Sequence, residues 1–479
     1  VVLRDDEETT TKLKEKFMLA LPLLAKIDAK HAYQFRDTQQ VGSWKRIPAV
    51  CSFAILLLLT ANAAPAHGQA IPNTFFGMHM HAGVISHQPW PEDSLGSVSL
   101  WNGGVSWGDI SSAKGVYDFT SLDLWMANAQ AHGDQLVYTF GYVPQWASSQ
   151  PYNSSCQGPV GSCAPPTDVN ADGTGTDQSF KDFVTALANH NKNSTSAHIE
   201  YWELWNEPYH SQYWVGTVAQ LVRMAKDATA ILKSVDPNAK VLVPSVCIEG
   251  SKSTNWLSAY LAAGGDTVAD LVAFHGYVQK QGTPLQPENI IGYVNNLRNV
   301  ILAPYGLQNR ALWDTEASWG QPTVSVPAFT DPDERMGFVA RMYILQQSVG
   351  VARFFWYQWN NPTLGTMWIP NPNDPSAPGT LTPPGIAFAQ VQNWMVGATP
   401  VAGCSASGTV WSCDYTRSAG YKARIVWDTA QSCAHGTCTT SSYAVPTGFT
   451  QYRTLDNGTA ISISGSHVEI GYKPIILEN

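Results

Sequence analysis

The sequence predicts a (β/α)8 TIM barrel followed by a small β-sandwich. Three observations carry this. Eight short apolar, β-rich runs recur between residues 75 and 359, with helical patterns in several of the gaps. The runs are apolar on both faces, as strands of a parallel sheet covered by helices must be. After Gly397 the chain changes to short alternating runs rich in Thr, Ser, Gly and Val, separated by turn residues. A doubly wound open sheet is the alternative, but it would usually bring a Gly-rich phosphate turn after its first strand, and none occurs.

The strands are expected at residues 75–81, 97–101, 135–141, 199–205, 240–244, 271–277, 311–315 and 353–359. Helices are expected at 178–189, 218–234 and 333–349, where Phe180/Phe183/Val184/Leu187, Leu221/Met224/Ala225/Ala228/Leu232 and Phe338/Met342/Leu345/Val349 recur at helical spacing. The barrel then spans 70–396 and the sandwich 397–479, with alternating runs at 409–415, 422–427 and 460–463. The sandwich is expected to pack on the barrel and stabilise it; carbohydrate binding is the other reading. Asp168-Val169-Asn170-Ala171-Asp172-Gly173 matches half of a calcium loop, but Ser179 stands where the last carboxylate should be. A polar turn before a helix is expected instead.

The chain has 479 residues and a net charge of −9, with only 14% charged residues and 18 Trp. Disorder and coiled coil are excluded by the low charge, and nucleic acid by its sign. Residues 1–44 form a mixed charged extension without a functional reading. Residues 45–68 read as a secretory signal peptide: Lys45-Arg46, an apolar run at 47–60, then Ala61-Asn62-Ala63. That run falls short of the ~20 residues a spanning helix needs, so no stable membrane insertion is expected after cleavage. Removal of 1–68 leaves 19 basic and 30 acidic residues. A secreted or periplasmic location follows, and cysteine usage fits it. Cys156/Cys163, Cys404/Cys413 and Cys433/Cys438 are locally spaced pairs expected to close loops as disulfides. Cys247 is left over and reads as a buried, inert thiol.

Two stretches carry the chemistry. Tyr201-Trp202-Glu203-Leu204-Trp205-Asn206-Glu207-Pro208 is an apolar strand that Pro208 must end, which puts Glu207 at the C-terminal mouth of the barrel. Asn206 beside it is a neutral donor for a substrate hydroxyl. Ala311-Leu312-Trp313-Asp314-Thr315-Glu316 is a second apolar strand ending in a carboxylate. Neither strand end carries a Lys or Arg that would make these glutamates structural ion pairs. Two carboxylates facing across one mouth can hydrolyse a glycosidic bond, with retention if they lie ~5–5.5 Å apart. His275 and Tyr277 end the sixth strand and His81 the first, so these are expected to touch substrate or supply hydrogen bonds. Trp319 and Trp356 are the leading candidates for stacking on sugar rings.

On these residues the chain resembles the clan A glycoside hydrolases, most of all glycoside hydrolase family 39 and its relatives. The matching pieces are Phe76-Gly77-Met78-His79-Met80-His81, Trp205-Asn206-Glu207-Pro208, Phe274-His275-Gly276-Tyr277, Trp313-Asp314-Thr315-Glu316 and Phe354-Phe355-Trp356-Tyr357-Gln358-Trp359. The resemblance implies a retaining hydrolase of β-linked poly- or oligosaccharides, with Glu207 as general acid/base, Glu316 as nucleophile, and neither cofactor nor metal. A transglycosylase and an inactive carbohydrate-binding protein are the alternatives. One departure stands out. Relatives often carry Arg-Leu-Trp-Asp on the second strand, where this chain has Ser99-Leu100-Trp101-Asn102.

Overall fold

A computed structural model describes residues 68–81, 87–91, 95–361 and 364–479. The expected extension and, apart from Gly68, the expected leader lie outside the described residues. All eight expected strands form: β1 (Phe76–His79), β2 (Ser97–Ser99), β3 (Gln135–Thr139), β4 (Tyr201–Glu203), β5 (Lys240–Leu242), β6 (Val272–His275), β7 (Leu312–Ala317) and β8 (Val351–Trp356). They pair in parallel in the order β5-β4-β3-β2-β1-β8-β7-β6. Single parallel bridges, Leu242 to Leu271 and Cys247 to His275, join the two ends. The barrel is thereby closed.

Strand alternation sorts the side chains. Phe76, Met78, Val98, Trp202, Val241, Phe274, Phe354 and Trp356 face the helices and belong to the main core. Val137, Leu242, Ala273, Trp313 and Phe355 form a separate cluster inside the barrel. Gly77 is needed there, because a Cβ would meet the Phe355 ring at 2.6 Å. Arg353 shares this layer: its guanidinium lies over Tyr201 (4.5 Å) and Trp313 (4.1 Å) and donates to Ser97 Oγ (2.8 Å). Two residues further along the strands the interior turns polar. Glu203 is buried and accepts from Thr139 Oγ1 (2.8 Å) and Thr315 Oγ1 (3.0 Å).

Helices α1 (Thr120–His132), α2 (Gln178–Asn193), α3 (Val218–Val235), α4 (Ser251–Ala262), α5 (Asn289–Asn296), α6 (Pro332–Ser348) and α7 (Pro383–Met395) surround the sheet. Their starts follow from local chemistry. Thr217 and Gln220 form a reciprocal capping box on α3. Asp331 caps α6 and Thr382 caps α7, each followed by Pro at the first helical position. Asp168, from the incomplete calcium motif, accepts from Ser179 N (2.9 Å) at the start of α2, as a polar turn should.

Beyond the barrel, strands Val410–Thr416, Lys422–Asp428 and Ile475–Glu478 form the centre of an antiparallel sheet. Thr440–Ala444 and His467–Gly471 form a second, two-stranded one. Val426, Val468, Ile470, Ile475 and Leu477 fill the space between them. This sandwich docks on α6 and its neighbour α5. Glu288 accepts from Arg341 Nε (2.8 Å) and Trp427 Nε1 (2.9 Å), Arg341 lies over Tyr472 (4.3 Å), and Lys473 pairs with Asp333 (2.8 Å). On its other side α6 holds the barrel: Gln346 donates to Asp314 of β7, whose other oxygen accepts from Gly276 N (3.0 Å). The three expected disulfides, Cys156–Cys163, Cys404–Cys413 and Cys433–Cys438, are all present.

Asp177 precedes α2 in a left-handed conformation (φ 48°) and is fully buried beside the Asp227 carboxyl. Burial, then the neighbouring Asp227 and Asp168, push its pKa up to about 8. A raised carboxyl leaves stability intact below the unfolded value near ~3.9 and erodes it as pH rises toward the folded value, by up to ~1.4 kcal/mol per pH unit. Asp177→Asn should therefore match wild type in thermal melts at pH 4 and gain an increasing advantage up to pH 8.

Candidate active site

The strand ends at the C-terminal mouth bring Glu207, Glu316, His275 and Tyr277 together. Asn206 is buried where β4 ends, its backbone bridged to Ser245. Glu207 follows in a left-handed conformation (φ 42°), which non-glycine residues adopt only where the surroundings enforce it. Here Glu207 N donates to Ser245 O (3.0 Å) and Pro208 prevents the strand from continuing. A bulge between Phe274 and His275 and a register shift after Asp314 let His275, Tyr277 and Glu316 face one space despite their spacing.

His275 is the centre of the site. Its Nδ1 lies 2.8 Å from Glu207 Oε1 and 4.0 Å from Glu316 Oε1. The ring is 1% exposed and each carboxylate side chain 12%. Tyr277 Oη donates to Glu316 Oε1 (2.9 Å), and Cys247 Sγ donates to Glu207 Oε1 (3.0 Å). Burial opposes charge on the imidazole, but Glu316 and Glu207 outweigh it and raise its pKa to about 10, so His275 is a cation. Burial also acts against Glu207, yet the bond and charge of His275, with Cys247, carry it below its ordinary value. Glu316 is raised to about 7 by burial and by Glu207, with His275 and Tyr277 working against the rise. In the free site, therefore, the pKa values of the two carboxyls are pushed apart, Glu316 upward and Glu207 downward, and they titrate as an interacting pair around His275.

Around these groups stand His81, Asn102, Tyr142, Tyr209, Tyr213 and Tyr357. His81 is half-buried, approaches Asn102 Nδ2 (3.4 Å) and meets the Tyr357 ring edge-on. Burial lowers its pKa to about 4, so it is neutral. Tyr142 Oη donates to Asn102 Oδ1 (3.2 Å), and Tyr209 Oη approaches Glu207 Oε1 (3.5 Å). His79 lies deeper, at 1% exposure, with Nε2–H donating to Thr315 O (2.6 Å).

Two expectations need correcting. Trp319 and Trp356 present no ring face to the mouth. Both are buried on the helix side of the sheet, packed against each other (5.3 Å) and, for Trp356, against Phe338 of α6. Alternation explains this: Phe355, not Trp356, points into the barrel. Cys247 is buried as expected, but it touches Glu207 rather than sitting in inert core. The sequence signal for Cys247 and the tyrosines is weak; each lies just beyond a strand end, and nothing in residue type marks it. At the departure from relatives, Ser99 is buried and its Oγ accepts from Trp101 N (3.4 Å). Among the described residues, the cation paired with the two glutamates is His275 rather than a guanidinium.

A family model described as cellulase (glycosyl hydrolase family 5) matches residues 153–332, a stretch that contains Glu207, Cys247, His275, Tyr277 and Glu316. No curated protein matches the sequence. Among solved structures, a family 39 glycoside hydrolase from Bacteroides cellulosilyticus WH2 is similar over 85% of this chain and 82% of its own, at 16% identity and a TM-score of 0.60. A glucosidase from Croceicoccus marinus covers 86% and 97%, at 15% identity and 0.55. The catalytic domain of a family 30 xylanase C from Talaromyces cellulolyticus covers 86% and 96%, at 13% and 0.53. With the strand-end motifs, the family match supports a retaining glycoside hydrolase of clan A. The first of these structures, itself a family 39 enzyme, shares the fold with this chain.

Tyr277→Phe removes a hydrogen bond to the ionised form of Glu316, worth ~1.5–3 kcal/mol for a charged partner. Glycoside hydrolysis should fall roughly ten- to hundredfold. The acidic limb of its pH profile should move to higher pH, because Glu316 then ionises less readily.

Proposed function

We propose that this protein hydrolyses β-linked glycosidic bonds in a polysaccharide or oligosaccharide by double displacement, with Glu316 as nucleophile and Glu207 as general acid/base. The observation that carries the reading is one buried imidazole nitrogen close to both strand-end carboxylates. Contact of both with one atom bounds their separation from above and is compatible with the ~5–5.5 Å of retaining enzymes. Glu316 attacks the anomeric carbon while Glu207 protonates the leaving oxygen. Glu207 then takes a proton from the water that releases the sugar.

This assignment requires the proton on Glu207 and the charge on Glu316, against the directions in which their surroundings push the two carboxyls in the free site. His275 supplies the means. A sugar oxygen hydrogen-bonded to Glu207 would displace His275 Nδ1–H toward Glu316, which stabilises the carboxylate that must attack and lets the other hold the proton. In this reading His275 serves in place of the strand-2 arginine. Asn206 and His81 bind sugar hydroxyls, and Tyr142, Tyr213 and Tyr357 line the subsite.

The similar structures are named as a glucosidase and a xylanase, and another as a bifunctional glucanase-xylanase, which supports a β-glucan or β-xylan substrate. An extended groove is supported by a cavity of about 480 Å³ beside Val143, lined by Trp146 and by Tyr152, which is 85% exposed. Secretion is supported by the three disulfides.

The test is a product-resolved screen on β-xylan, β-glucan, β-mannan and bacterial exopolysaccharides, with Glu316→Gln and Glu207→Gln beside wild type. Wild type should release oligomers, and each variant should lose at least ~10³-fold in turnover. Unchanged turnover in both variants would overturn the assignment. Binding without product would instead identify a carbohydrate-binding protein, and products longer than the substrate a transglycosylase.

A further inference from the structure

Retaining hydrolysis gives a thiol no task, yet Cys247 points at Glu207. It is the free cysteine among the described residues, and its backbone is paired with that of His275 across the seam that closes the barrel. Glu207 Oε1, Cys247 Sγ and His275 Nδ1 all lie within 4.8 Å of one another. We propose that these three atoms bind one thiophilic divalent cation, of the zinc–cadmium class, and that the bound cation switches the hydrolase off.

The donor set is one thiolate, one imidazole and one carboxylate. It suits zinc or cadmium and discriminates against the oxygen-seeking magnesium and calcium ions. With zinc–ligand bonds of about 2.0–2.3 Å, tetrahedral neighbours sit roughly 3.3–3.8 Å apart. The Glu207–His275 and Glu207–Cys247 contacts are 2.8 and 3.0 Å, so each needs to open only slightly. Three protein ligands leave a fourth position for water, on the side where Glu207 meets the mouth. Tyr209 Oη, near the Glu207 carboxylate, is placed to orient that ligand.

Binding is balanced by protons. Cys247 gives up its thiol hydrogen and His275 the hydrogen on Nδ1, so two protons leave as one dication enters, and the thiolate and carboxylate neutralise it. Glu207 is then committed to the metal and can neither protonate a leaving oxygen nor activate water. This inhibitory half rests on the role proposed for Glu207; the binding half does not.

The test uses the full chain carrying Cys51→Ser, which removes the other cysteine outside the disulfides. Cadmium is titrated in while the ultraviolet sulfur-to-cadmium charge-transfer band and hydrolysis are followed together, with EDTA added at the end. One equivalent should raise the band and abolish hydrolysis, and EDTA should reverse both. Adding Cys247→Ser should eliminate the band and leave hydrolysis resistant to the metal. Glu207→Gln should keep the band but weaken affinity by on the order of a hundredfold, the share of one ligand in a four-ligand site. Circular dichroism melts establish that each variant is folded, with Cys247→Ala as the substitute if the serine is not. No band, or a band that survives loss of Cys247, would overturn the site. Binding without inhibition would overturn the switch. If the band behaves as expected but the metal-free chain releases no sugar from any polymer, the site stands and the hydrolase reading fails.

Discussion

Everything at the mouth of this barrel is arranged around a buried imidazolium held between two carboxylates. Isolated, none of the three charges would survive the desolvation of the strand ends. Together they hold a small net charge, and each fixes the position of the next. The geometry demands local irregularity: a left-handed Glu207, a bulge before His275 and a register shift ahead of Glu316. These deviations are tolerable because the rest of the sheet is regular and its interior is filled from below by Phe355, Trp313 and the stacked Arg353.

The proposed mechanism accounts for serine where relatives often carry the strand-2 arginine. In the proposed mechanism, a permanent guanidinium beside Glu316 would compete with His275 for that carboxylate. Ser99 leaves the site with a cation that can donate its hydrogen in either direction and change its charge. Below it, Glu203 is a third buried carboxyl, raised by burial and tied to Thr139 and Thr315. It adds negative potential under the ring and favours the protonated imidazole.

The barrel was legible because its signals are periodic. Eight apolar runs, helical repeats between them and locally spaced cysteines each repeat a pattern that burial or loop closure imposes. Glu207 and Glu316 were legible because a carboxylate at the end of an apolar strand has few structural excuses. Trp319 and Trp356 were misread for a reason that generalises: proximity to a strand end says nothing about which face a side chain takes, and a shift of one residue exchanges mouth for core. Cys247 and the ring of tyrosines come from loops and seams whose course depends on tertiary closure. The opposite pull on the two glutamates likewise depends on which of them His275 touches, a matter of ångströms that no residue string records.

Helix α6 sits between the sandwich and strand β7. One face grips Glu288 and Tyr472 through Arg341, and the other holds Asp314, two positions before Glu316, through Gln346. A chimera cut at the visible change of texture near residue 397 would exchange the sandwich but strand a buried arginine and loosen the helix that braces β7. The modular boundary for recombination is thus not the one suggested by composition. Any transplanted partner must bring its own answer to Arg341.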